Sequence, residues 1–459
     1  MTNSNYTAVA EATMAAPKQA ELDQLKQQVE SILAEAKRQG ATAAEVNLGQ
    51  GVGLSAGVRL GEVETLEFHR DRGVSLTVYL GQCSGAASST DTSAESIRET
   101  VAAALAIAKH TGEDEANGLA SKEQLADANA LPELDLCHEW LLAPEDAVAL
   151  AQRCEAAGRV DKRIVNSEGA QVTASISTRA YGNSAGLVAA YNGSRHGLSC
   201  VLVAEQEGQM QRDYYYDASR VPSKLMAPEA VGEEAARRTL ARLGAQRPAT
   251  GQWPVLFAAD VAKGVLGHFI NAISGAALYR KASFMLDRLG TQVFPEWVNL
   301  GEQPHLLQGA ASAPFDSDGL PTKAQLFVQQ GELSQYVLSL YAARRLAMQP
   351  TGNGGGVRNL VMPAGQYSLA ELCQQMDNGV LVTEVMGQGV NTVTGDYSRG
   401  AAGFWVENGV ISHPIEEFTI AGNLNDMFMG LQAVGNDVDT RGGIQTGSLL
   451  MAPMMIAGQ

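Results

Sequence analysis

An Asn-Gly pair between two alternating runs is the feature that most limits how this chain can fold. The pair is Asn408-Gly409, flanked by residues 404–407 and 410–412. A two-residue hairpin of type I′ needs positive φ at both central positions, and asparagine and glycine tolerate it. The pair therefore predicts a tight antiparallel hairpin. Upstream, residues 380–385 form a β-branched and aliphatic run, and residues 387–403 read as a long glycine-punctuated loop. Loops held between strands are where binding groups concentrate. The plainer reading is a surface loop without chemistry.

The chain before this stretch alternates helices with groups of strands. Leu25, Val29, Ile32, Leu33 and Ala36 follow a helical period over 22–38, which Gly40 ends. Strand-like runs follow at 44–48, 52–60, 62–68, 74–80 and 85–90, then a helix over 94–110 with Thr92 or Ser93 as N-cap. Residues 113–130 read as a connecting loop. A helix over 143–157 carries Pro144, Glu145 and Asp146 in its first turn, where proline and acids are favoured. Strands at 164–165, 170–181, 185–192, 197–205 and 209–217 precede a helix over 228–243.

The order helix, strands, helix occurs twice, which hints at a duplicated unit, and the short glycine turns favour antiparallel pairing. The expectation is an α+β chain. Residues 1–20 are a flexible tail, 21–245 an N-terminal domain of helices with antiparallel sheets, and 246–459 a strand-rich C-terminal domain. That last domain is expected to be a sandwich or open barrel with one principal helix over 261–278. Its further strands are expected at 254–258, 306–307, 324–329, 332–338, 429–435 and 448–456, with a turn of helix at 283–289.

Charge and cysteine usage exclude some function classes. With 50 acidic against 33 basic residues the net charge is -17, and no local basic cluster offsets it, so a nucleic-acid partner is disfavoured. Cys83, Cys137, Cys154, Cys200 and Cys373 are odd in number and lack C-x-x-C spacing. A disulfide framework is not expected, and a reducing cytoplasm fits. The start of the chain does not read as a signal peptide, and no apolar run is long enough to span a bilayer.

No complete catalytic set is legible. His268 lies on the helix that opens the last domain, where zincin proteases place two histidines and a glutamate. Phe269 follows it, and Ala272 and Ile273 take the positions for a second histidine. One imidazole without partners cannot hold a metal, so a packed histidine along the Val261/Val265 edge is the reading. The run 352–356 in TGNGGGVRN lacks both the Walker and the dinucleotide pattern and reads as a turning loop. No G-x-S-x-G occurs. Asp316/Asp318 and Asp437/Asp439 read as solvated turn acids, and Tyr214 to Tyr216 as strand packing.

Several stretches carry a family resemblance: MGQGVNTVTGDYSRGAAGFWVENG at 386–409, GHFINAISGAALYRKASFMLD at 267–287, PHLLQGAASAPFDSDG at 304–319, EEFTIAGNL and VGNDVDTR. They resemble the TldE (PmbA) branch of the TldD/PmbA proteins, over nearly the whole chain after the tail. The resemblance implies a cytoplasmic subunit of a heterodimeric zinc metalloprotease. The zinc belongs to a TldD-like paralogue bearing His-Glu-x-x-x-His and a later cysteine. Carried onto this chain, the first histidine falls at His268, the glutamate at Phe269, the second histidine at Ile273 and the cysteine near Ala401. The resemblance thus implies no catalytic residue, metal or cofactor on this chain. It further implies cleavage of unfolded peptides, including trimming of microcin-type precursors and degradation of a labile antitoxin. The older description as a modulator of DNA gyrase reads as indirect.

On this reading the loop 387–399 lines a cleft closed over the partner's zinc. His268, Gly387, Gly389, Thr394, Asp396, Tyr397, Ser398 and Arg399 are the candidates for peptide or partner contact. Bracing of the loop itself is the plainer role for them. Rival readings are a stand-alone peptidase with an unrecognised metal site, and a homodimeric regulator or scaffold without a protease role.

Overall fold

The computed structural model describes residues 16–458. Of the expected tail, residues 1–15 lie outside the described residues, and helix α1 starts at Gln19. The first part runs α1 (Gln19–Arg38), β1 (Ala43–Arg59), β2 (Glu62–Leu80), β3 (Cys83–Ser89) and α2 (Ala94–His110). It repeats as α3 (Pro144–Gly158), β4 (Ile164–Asn183), β5 (Val188–Gln206), β6 (Gln209–Ser219) and α4 (Pro228–Ala241). All strands of both units join one six-stranded sheet of order β3-β2-β1-β4-β5-β6. The two units therefore meet at β1 and β4, which pair antiparallel about Gly51 and Ser177.

The strands are longer than their glycines suggest. Runs 44–48 and 52–60 are one strand, as are 62–68 with 74–80 and 185–192 with 197–205. Gly49, Gly51 and Gly53 do not interrupt β1, because β2 and β4 pair with it on both sides there. Alternation along β1 sends Ala44, Val46 and Leu48 into a core with α1 and α2. Leu54, Ala56 and Val58, on the same strand face, enter a second core with α3 and α4. The buried Glu155 of α3 ties the layers together, accepting from Leu60 and Gly61 N–H at 2.8 Å and so fixing the β1–β2 turn.

The remainder opens with β7 (Gly251–Phe257), α5 (Ala259–Ala272) and α6 (Gly275–Tyr279). A small sheet follows from β8 (Leu300–Glu302), β9 (Gln325–Gln329), β10 (Glu332–Leu333) and β11 (Leu360–Val361), with α7 (Leu340–Arg345) beside it. Then come α8 (Leu369–Met376), β12 (Gly379–Met386), β13 (Asp396–Glu407), β14 (Val410–Asn423), α9 (Leu424–Met429), β15 (Leu431–Val434), β16 (Ile444–Gln445) and β17 (Leu449–Ala457). β14 pairs with β13 and with β17, so β14-β13-β12-β7-β17 close into a ring of five strands, and β15 adds to β17. The α+β architecture is as expected, and these five strands of the strand-rich part close into a barrel.

Other local expectations also change. The helix over 261–278 is two helices, broken where the Ser274 hydroxyl caps α6. Residues 283–289 are turns, 306–307 are not a strand, and the strand at 332–338 shrinks to β10. The strand at 429–435 is the end of α9 followed by β15. The Asn408-Gly409 turn forms as expected, with φ of 51° and 77°. Its second strand, however, runs on to Asn423.

Guanidinium groups join the first part to the second. Arg220 donates to the carbonyls of Gly309 and Ala310, and Arg344 to those of Ala116, Gly118 and Leu119. The five cysteines are free thiols. Among the described residues no helix is long and apolar enough to cross a membrane.

Candidate functional site

Helix α5 buries one stripe against the barrel: Ala262, Val265, Leu266, Phe269, Ile270 and Ile273. Phe269 is fully buried and meets Phe294 and Phe428 edge-on, with ring centroids 5.1 and 5.3 Å away. Such contacts add about 0.5–1.5 kcal/mol each to the burial of the ring. His268 lies on the flank of this stripe, half-buried, with its ring at 6.0 Å from that of Tyr397. Desolvation first, then the Arg399 charge, pushes its pKa below the ordinary histidine value, so the imidazole is neutral at pH 7. Ala401, near which the resemblance puts the cysteine, is fully buried in the same core.

The loop is shorter than the sequence suggests. β13 begins at Asp396, so only residues 387–395 are irregular. Gly387 has φ of 80°, and a side chain on Gly389 would meet the Ser398 carbonyl at 1.8 Å. Ser398 N–H donates to the Gly389 carbonyl, and Phe284 N–H to that of Thr392. The Thr394 hydroxyl donates to Asp396 at 2.6 Å, and Asn423 Nδ2 reaches the Thr394 carbonyl and Asp396 Oδ1. Thr394 and Asp396 therefore brace each other, while the Ser398 side chain is exposed.

Of the eight candidates, His268, Tyr397 and Arg399 come together. Tyr397 is 2% exposed, and burial pushes its hydroxyl up to about 12. Arg399 is partly exposed and donates through Nε to the Met386 carbonyl at 2.9 Å.

Two acidic pairs are not solvated turn residues. Asp316 is fully buried and accepts from the N–H groups of Asp318, Leu320 and Gly354. Burial, then the charge of Asp318, pushes its carboxyl up to about 6. The glycine-rich loop at 352–356 thus wraps a buried carboxylate, which no local pattern signalled. Asp439 is 8% exposed and binds Arg441 at 2.8 Å and Lys263 of α5 at 3.1 Å. Burial would raise its carboxyl, but Arg441 and then Lys263 hold it at about 2. Lys263 also reaches the Tyr216 hydroxyl at 3.2 Å, and the Arg441 guanidinium lies 4.4 Å from the Tyr216 ring. This cluster fixes the start of α5 against β6.

A zinc site of the zincin kind does not fit these residues. Phe269, Ile273 and Ala401 offer no donor beside His268, and all three are core. Among the described residues no three His, Cys, Asp or Glu side chains converge.

Comparison with known proteins agrees over most of the chain. Residues 44–108, 137–243 and 250–458 match PmbA/TldA metallopeptidase domain 1, central domain and C-terminal domain respectively. The chain is 47% identical over 429 residues to Metalloprotease PmbA of Escherichia coli O157:H7, covering 93% of this chain and 94% of that one. It is 46% identical over 442 residues to a Haemophilus influenzae Metalloprotease PmbA homolog, covering 96% and 97%. To a TldD homolog of Buchnera aphidicola it is 21% identical over 397 residues, covering 81% and 80%. A crystal structure from Bacteroides thetaiotaomicron, described as a candidate modulator of DNA gyrase, superposes with TM-score 0.90 at 25% identity, covering 95% and 99%. TldE from Thermococcus kodakarensis shares the fold, with TM-score 0.82 at 19% identity over 94% and 100%. The chain belongs to the PmbA/TldD metallopeptidase family, on its PmbA branch.

Proposed function

We propose that this chain is the metal-free member of a two-chain, cytoplasmic peptidase. It closes the cleft over the zinc of a TldD-like paralogue and helps to grip an unfolded peptide. One observation carries the reading: α5 presents a single neutral imidazole, and Phe269, Ile273 and Ala401 are fully buried where further ligands would be needed. An extended peptide is gripped through backbone hydrogen bonds that ignore sequence, which suits unfolded substrates such as peptide-antibiotic precursors or an antitoxin.

The test is to purify the chain, the paralogue carrying His-Glu-x-x-x-His, and their mixture. Zinc content and cleavage of an unstructured peptide are measured for each. The expected result is zinc only in the paralogue, co-elution of the two chains, and cleavage by the mixture well above either alone. Zinc held by this chain at one per molecule, with chelator-sensitive cleavage, overturns the proposal.

A further inference from the structure

β13 puts Tyr397 and Arg399 on one strand face, two residues apart. Across the pair they stand opposite Gly422 and Ile420, and Ile420 is fully buried in the barrel core. His268 approaches the same face from α5, edge-on to Tyr397. Three donor groups therefore collect at one place.

None of the three has found an acceptor that satisfies it. The Tyr397 side chain is almost wholly buried, while its hydroxyl, bonded to no group among the described residues, is not sealed from solvent. Neither ring nitrogen of His268 is bonded there either. Arg399 uses only Nε, on the Met386 carbonyl, and its two terminal nitrogens remain. Among the described residues Arg399 makes no ion pair, so its charge is uncompensated by a neighbouring carboxylate. Among the described residues no carboxylate pairs with the site, and the charge that acts on both His268 and Tyr397 is that of Arg399.

A guanidinium with two free terminal nitrogens, beside a neutral imidazole and a phenol that can each donate one hydrogen, suits an anion with two or more acceptor atoms. A guanidinium presents parallel N–H groups to a carboxylate, and charge-assisted bonds of this kind are about twice as strong as neutral ones. We propose that Arg399, His268 and Tyr397 form a receptor for a carboxylate of the bound peptide. Arg399 supplies the charge, and the neutral imidazole and the phenol supply one N–H and one O–H. The inference rests on the reading that a peptide lies in this cleft, but its test needs only this chain.

The probes are an N-acetylated eight-residue peptide of alanine, valine and serine with a free C-terminal carboxylate, the same peptide as its amide, and the amide with one glutamate. Binding to the full chain is measured by calorimetry. The wild type is expected to bind the free acid about tenfold more tightly than the amide. Arg399→Gln brings the acid down to the amide's affinity, and Arg399→Lys keeps part of the difference. Tyr397→Phe keeps the ring and removes the hydroxyl, and it lowers the preference about threefold with the amide unchanged. That variant decides the matter if Arg399→Gln does not fold.

If the glutamate-bearing amide binds like the acid, the receptor accepts side-chain carboxylates too. If it binds like the plain amide, the chain end is what is read. Either result supports the receptor. Equal binding of acid and amide, no binding of either at millimolar concentration, or a preference that survives both Arg399→Gln and Tyr397→Phe overturns it. Failure to cleave with the paralogue would leave this discrimination standing, so the two readings fail separately.

Discussion

The ring of His268 stands edge-on to that of Tyr397, with centroids 6.0 Å apart and planes at 71°. The contact is aromatic packing and brings no metal donor to the imidazole. It also keeps the imidazole partly out of water, and with Arg399 nearby the ring stays neutral at pH 7.

Rebuilding the metal motif on this helix should fail at the level of packing. Phe269 is fully buried between Phe294 and Phe428, and Ile273 is fully buried beside it. Phe269→Glu is expected to cost roughly 3–5 kcal/mol in a denaturant titration, from the lost ring and the buried carboxylate together. Phe269→Glu with Ile273→His should bind no stoichiometric zinc and cleave no peptide. Activity from these two changes alone would show that a third ligand at position 401 is dispensable.

Two neighbouring glycines should respond in opposite ways. A Cβ on Gly389 would meet the Ser398 carbonyl at 1.8 Å, whereas one on Gly387 meets nothing within 4 Å. Gly389→Ala is expected to lose about 1–3 kcal/mol of stability and to raise hydrogen exchange at Ser398 and Asn391. Gly387→Ala carries only the strain of its positive φ, about 1 kcal/mol. Equal effects in thermal melts would contradict the close approach of 389 to 398.

The buried Asp316 should make stability depend on pH in a definite sense. Its folded carboxyl titrates at about 6, above the ordinary value of an unfolded aspartate. The stability it supplies is therefore complete below about pH 4 and is lost as pH rises through about 6. Asp316→Asn cannot titrate and loses the acceptor for Gly354 N–H. Its deficit against wild type should be largest near about pH 4 and narrow by roughly 2–3 kcal/mol at about pH 7.5. A deficit that widens with pH would reverse the assignment.

How much of this was legible is clearest at the loop. The Asn408-Gly409 turn is a local matter of φ, and it formed where the residues placed it. Residues 387–403 read as loop because glycines punctuate them, yet within that stretch Asp396 to Arg399 pair with Asn423 to Ile420. That pairing depends on a strand more than twenty residues away. The site was half legible for the same reason. His268 and the absence of its metal partners could be read from the helix. That Arg399 and Tyr397 face it, while Thr394 and Asp396 only brace each other, depends on the pleat of β13.

The sequence by itself determined what local chemistry decides: where the four helices of the first part lie, where the tight hairpin turns, and that α5 carries one imidazole and no second ligand. Only the tertiary structure decided strand length, barrel closure and the environment of the acids. Gly49, Gly51 and Gly53 stay extended because neighbours on both sides hold their backbone. Asp316 loses its water because a loop thirty-eight residues later folds over it. Pairing and desolvation are set by what else arrives at a residue, and that is a property of the assembled fold.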